Sequence, residues 1–185
     1  MAASMLVLVG CATPSEEPTP EVTYRSVPQE CYQINELVAQ PATEFLDDIL
    51  APDLPGTITD SDKQRHQDKG FTELQCTVEY LRSLTDRRVD ITFTLATKKY
   101  YRPTGAIPVQ SLGDIAYQDS ANRVGPAGAF STVVFRVRNL EVKVSASGSD
   151  LGPTTPDIHV TSERAALRIA TLLADKIDEI MPRPE

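Results

Sequence analysis

Apolar side chains recur along this chain at two different spacings, and each spacing predicts a different element. After Cys31, the residues Ile34, Leu37 and Val38 return every three or four positions, as on one face of a helix. Pro41 interrupts this stripe, and Phe45, Leu46, Ile49 and Leu50 resume it. The pattern predicts two short helices, with Pro41 in the first turn of the second, where its missing N–H does no harm. Pro52 and Pro55-Gly56 close them off, and the polar residues 57–70 read as a loop. The period then changes to two. Leu74, Cys76, Val78 and Tyr80 alternate with polar residues, and after a connection at Thr85-Asp86-Arg87 so do Val89, Ile91, Phe93 and Leu95. A turn across Val109–Asp114 feeds a short strand ending near Tyr117, and Gly125–Gly128 reads as a further turn. The clearest hairpin runs from Phe130 to Ser147, with Val133, Phe135 and Val137 facing Leu140, Val142 and Val144. Arg138-Asn139 supplies its two-residue turn, since Asn tolerates positive φ. Helical spacing returns at the end, opening with a cap at Thr161-Ser162-Glu163. Its stripe is Ala166, Ile169, Leu173, Ile177 and Ile180; Arg164, Arg168, Asp175, Asp178 and Glu179 mark the wet side. The predicted class is α+β: an antiparallel sheet of four to five strands, packed with two short N-terminal helices and one C-terminal amphipathic helix.

The N-terminal segment obeys neither spacing. The apolar run Met5–Val9 leads into Leu8-Val9-Gly10-Cys11, which has the form of a bacterial lipobox. Small side chains before the cysteine let an extended segment enter the processing enzymes, and the thiol is the nucleophile that takes the diacylglycerol. A short apolar stretch of this kind is a removable export signal, and about 20 apolar residues would be needed to span a bilayer. Residues 1–10 carry no Lys or Arg, a departure from the basic opening of an export signal. Residues 11–29 are rich in Pro, Ser, Thr and Glu, too polar to offset their ordering entropy, and read as a disordered tether. The division is therefore a signal at 1–10, a tether at 11–29 and one globular domain at 30–182.

Cysteine count and charge sharpen this picture. Of three cysteines, lipidation of Cys11 leaves Cys31 and Cys76. In an oxidising compartment they form a disulfide, closing a loop of about 45 residues and stabilising the fold by roughly 4 kcal/mol. The alternative is two buried, reduced thiols. Because Cys76 lies on the apolar face of its strand, a bridge would pin the first helix onto the sheet. A net charge of −8 argues against nucleic acid, which wants a basic footprint. That charge is uneven: 14 acidic and 4 basic residues stand up to Leu81, 12 acidic and 14 basic from Arg82 onward.

Candidate chemistry is sparse. Asp60, Asp62 and Asp68 suggest calcium, but Arg65 and Phe71 stand where a calcium loop needs Gly and Glu. Two cysteines lack the partners and spacing of a zinc site, so no metal or cofactor is expected. Lys98–Pro103 interleaves basic and aromatic residues but reads better as a solvated strand end. The histidines, His66 and His159, stand in no nucleophile elbow or metal motif, and no phosphate loop is present. No catalytic residue is expected.

The lipobox, the proline-rich tether, Cys31 before helices, Cys76 in the first apolar strand, Leu112-Gly113-Asp114 followed by Ala116, the hairpin and the terminal helix form a combined pattern. It resembles a family of actinobacterial secreted lipoproteins catalogued as a domain of unknown function, similar in layout to the extracellular sensor domains of mycobacterial serine/threonine kinases. The resemblance covers roughly residues 30–181. It implies a two-cysteine α/β sandwich on the cell surface, with Gly113-Asp114 as a turn motif and no catalytic residues. Together these readings give an expectation: a lipid-anchored domain on the outer side of the cell membrane, held through Cys11 and acting by interaction or sensing on an envelope protein. The alternative is a carrier of a lipid or small envelope ligand in a cleft between sheet and helix.

Overall fold

Val, Ile, Phe and Thr at alternating positions favour extended backbone, because branched and aromatic side chains pack well on a pleated surface. The computed structural model describes residues 24–47, 57–67, 70–82, 85–96, 102–119, 128–150 and 158–181. The signal segment, Cys11, most of the tether, Asp68 and Lys98–Tyr101 lie outside these residues. The described chain is α+β. Its strands are β1 (Thr57–Gln67), β2 (Gly70–Arg82), β3 (Thr85–Leu95), β4 (Ile107–Pro108), β5 (Ile115–Asp119), β6 (Gly128–Val137) and β7 (Leu140–Asp150). Its helices are α1 (Tyr32–Asp47) and α2 (Ile158–Ile180). The strands form one antiparallel sheet in the order β1-β2-β3-β7-β6-β5-β4. Two meanders therefore meet at its centre, where β3 pairs with β7.

Both helices pack on one face. Val89, Ile91 and Phe93 of β3, Val142 and Val144 of β7, and Val133 and Phe135 of β6 meet Ile34, Val38 and Leu46 of α1 and Ile169, Leu173 and Ile177 of α2. Most of these side chains are wholly buried. A smaller cluster of Ala106, Tyr117 and Val134 lies apart from this core.

Four expectations are corrected. The sheet has seven strands among the described residues, not four or five. One addition is β1: the segment read as a loop pairs with β2 from Thr57 through Gln67, with an irregularity between Arg65 and His66. Ladder hydrogen bonds to β2 order this backbone, and an edge strand needs no run of apolar residues. A second correction concerns Pro41, which lies inside a single helix rather than at the head of another. A proline in a helix interior costs about 3 kcal/mol. Burying Ile34, Val38, Phe45 and Leu46 in one continuous stripe stabilises by about 1.5–3 kcal/mol per side chain, which wins.

Third, α2 begins at Ile158 rather than at Thr161. Thr161 Oγ1 donates to the Ile158 carbonyl at 3.2 Å and Ser162 Oγ to that of His159 at 3.0 Å. These hydroxyls thus bond back along the helix and do not cap its free N–H groups. Fourth, Thr85, Asp86 and Arg87 belong to β3, since Arg82 pairs with Thr85 and only residues 83 and 84 connect the strands. Strand alternation then turns Arg87 inward beside Val89, and it is fully buried.

Candidate functional site

Apart from Cys11, which lies outside the described residues, the expected site residues fall at two structural joints. Cys31, just before α1, is bridged to Cys76 on β2, with Cα atoms 5.5 Å apart. Both are buried, so the bridge fastens the start of α1 to the sheet. Gly113 and Asp114 form the turn entering β5. Gly113 has φ of 60°, and a Cβ there would overlap the Arg136 carbonyl oxygen. That oxygen accepts the Asp114 N–H at 2.7 Å. The Asp114 carboxylate in turn accepts the Arg138 N–H at 2.6 Å, holding the β6–β7 turn. The positive φ of this turn, 57°, falls on Arg138.

Asn139 has a different task. Its Oδ1 accepts the Tyr24 N–H at 2.9 Å and its Nδ2 donates to the Tyr24 carbonyl at 2.8 Å. One side-chain amide therefore clamps the backbone of the strap that precedes α1. The Tyr24 hydroxyl donates to Asp178 Oδ1 at 2.6 Å and accepts from Arg138 Nη1 at 3.2 Å. Burial, then the Asp178 carboxylate, push the Tyr24 hydroxyl up to about 12. The strap, the hairpin turn and the end of α2 are locked together here.

A second feature lies at the other end of α2. Between the helices opens a cleft of about 180 Å³, lined by Pro41, Glu44 and Phe45 of α1 and by Thr161, Arg164, Ala165 and Arg168 of α2. Arg87 touches two of these lining residues: Nη1 donates to Thr161 Oγ1 at 3.2 Å, and the guanidinium carbon lies 4.9 Å from the centre of the Phe45 ring. Gly148, opposite Arg87 on β7, makes this placement possible, since a Cβ there would come within 2.8 Å of Arg87 Cδ. On the rim, Arg168 pairs with Glu44. Hydrogen bonds from Arg168 and then Gln40 hold the Glu44 carboxyl below its usual value. Ten residues of helix, about 15 Å at 1.5 Å per residue, separate Arg168 from Asp178, so the cleft and the strap clamp are separate sites.

The sheet face away from the helices carries Asp90, which accepts from Arg88 Nε at 2.7 Å, Thr77 Oγ1 at 2.6 Å and Gln75 Nε2 at 3.0 Å. Burial opposes ionisation of Asp90, but these donors outweigh it and leave the carboxyl below its usual value. Among the described residues no group of three or more His, Cys, Asp or Glu is placed to hold a metal ion. Nor is any described helix long and apolar enough to cross a membrane.

None of the expected site residues that are described lines the cleft. The signals for it were present but scattered: Arg164 and Arg168 one turn apart, and Arg87 in phase with Val89. Sequence periodicity does not say which helix faces Glu44. No family model matches the chain, and neither a curated protein nor a solved structure is significantly similar to it.

Proposed function

We propose that this chain is a membrane-tethered extracellular lipoprotein, anchored through lipid on Cys11, that acts by interaction or sensing and not by catalysis. Its recognition element is the cleft between α1 and α2. The observation that carries this reading is the set of charged side chains, Glu44, Arg164 and Arg168, that line the cleft beside Phe45 and Ala165. Arg164 and Arg168 present planar guanidinium forks, whose N–H donors match the geometry of an oxyanion. Glu44 is held ionised by Arg168 and Gln40, and the Thr161 hydroxyl donates to the helix backbone. Such a set recognises charge. Size separates this reading from the carrier alternative: at about 180 Å³ the cleft is smaller than the roughly 300–1,000 Å³ of pockets that enclose whole small molecules.

Two linked experiments test it. In cells fed an alkyne fatty acid, the chain takes up label and fractionates with membranes, and Cys11→Ser abolishes both; label retained by that variant refutes the anchor. A photoreactive residue in place of Ala165, at the cleft, yields a discrete adduct in intact cells, whereas one in place of Lys143, on the opposite sheet face, does not. Equal labelling from both positions refutes the cleft as the recognition element.

A further inference from the structure

The cleft also carries information about what it binds. Arg164 and Arg168 stand four residues apart on α2, where two like charges repel by a few tenths of a kcal/mol. Glu44 offsets one of them through its pair with Arg168. Arg164 makes no ion pair or hydrogen bond among the described residues, yet it lines the same cleft. The buried guanidinium of Arg87 supports two lining residues, Phe45 and Thr161.

We infer that the cleft takes a phosphoryl group, presented either by a lipid headgroup or by a free phosphate or phosphate ester. This assignment rests on the reading of the cleft as the recognition element. Charge and competition both favour phosphoryl over carboxylate. Arginine forks bind both oxyanions, but a phosphoryl group carries more charge than a carboxylate and spreads it over more oxygens, so it competes better with Glu44. A phosphoryl group has oxygens enough to meet Arg164 and Arg168 at once. The cleft, moreover, already contains its own carboxylate, Glu44, paired with the cation that an incoming anion would engage. The incoming group therefore shares or displaces Glu44, and its affinity is set partly by that competition. Volume agrees: about 180 Å³ suits a headgroup fragment better than a whole lipid.

The test is a titration of the folded, oxidised protein with inorganic phosphate, followed by NMR of the backbone amides and arginine Nε–H groups at constant ionic strength. Phosphate is expected to produce saturable shifts at Thr161, Arg164 and Arg168, with acetate weaker and chloride inert. Arg164→Gln, a change at an exposed position, is expected to weaken phosphate about tenfold, the loss of one charged hydrogen-bonding partner. Glu44→Gln frees Arg168 and is expected to tighten phosphate, an effect that loss of structure would not produce. Vesicles of phosphatidylcholine with and without phosphatidylglycerol identify the source. Binding that requires phosphatidylglycerol and is lost in Arg164→Gln assigns a lipid headgroup; phosphate binding without vesicle binding assigns a soluble phosphate. Acetate binding as tightly as phosphate, or no saturable shift at these residues, overturns the inference. If phosphate fails while the photoreactive cleft residue still captures its adduct in cells, the ligand class falls and the recognition reading stands.

Discussion

At the scale of single residues, the fold turns on positions where a side chain is either forbidden or required. Gly113 is the clearest of the first kind. Its φ of 60° strains any other residue, and its missing Cβ leaves room for the Arg136 carbonyl, which is backbone and cannot swing aside. Gly105 supplies the control: its φ is 90°, but nothing lies within 4 Å of where a Cβ would stand. Gly113→Ala should therefore destabilise the domain by about 2–3 kcal/mol, and Gly105→Ala by only about 1 kcal/mol, the difference being the steric overlap. Urea denaturation of the two variants measures that difference; equal midpoints would mean that the β5 turn yields without loss. Arg87 is of the second kind. Read along the strand it shares the face of Val89, Ile91 and Phe93, and the structure buries it there. The charge of arginine makes a turn the natural reading, and only the pairing with Gly148 reveals the space that admits it.

At the scale of elements, legibility follows from how local the deciding force is. The β6–β7 hairpin and the body of α2 were legible because their periodicity lies within one segment. The unity of α1 was not, since Pro41 argues locally for a break and only the sheet beneath supplies the burial that opposes it. For β1 the deciding bonds come from β2, and the polar sequence of the strand carries no trace of them. The cleft was illegible for the same reason, as Glu44 and Arg168 meet only when the helices pack. The strap clamp joins three elements and has a signature in pH. Tyr24 is raised from about 10 to about 12, so the folded state holds a proton that the unfolded chain releases. Its contribution is fully present below the unfolded value and is lost as pH rises toward the folded one. Stability should therefore fall between pH 10 and about 12 more steeply in the wild type than in Tyr24→Phe, which has nothing to titrate there. Parallel slopes in the two proteins would remove the Asp178 and Arg138 contacts from any role in holding the strap.

At the scale of the whole molecule, the strap from Tyr24 to Cys31 belongs to the domain although it contains no helix or strand. Val27 is completely buried, Tyr24 nearly so, and Cys31 carries the bridge across a sequence separation of 45. Consider a chain that begins at Gln33. It loses the bridge, worth roughly 4 kcal/mol on the loop-entropy argument. It also loses the burial of Val27, about 1.5–3 kcal/mol. Asn139 loses its two hydrogen bonds to the Tyr24 backbone, at about 0.5–1.5 kcal/mol each. The total rivals the 5–15 kcal/mol by which a domain of this size is usually stable. A chain beginning at Val22 keeps all three contributions. Circular dichroism and urea titration should thus find the Val22 chain cooperatively folded and the Gln33 chain unfolded or molten at 37 °C. Cys31→Ser in the Val22 background isolates the bridge and should fall between them. If the Gln33 chain instead melts like the Cys31→Ser variant, the bridge alone ties the strap down, and the Asn139 clamp adds nothing measurable. If it fails where Cys31→Ser survives, the strap is a packed part of the core, and the domain begins at its buried tyrosine, ahead of its first cysteine.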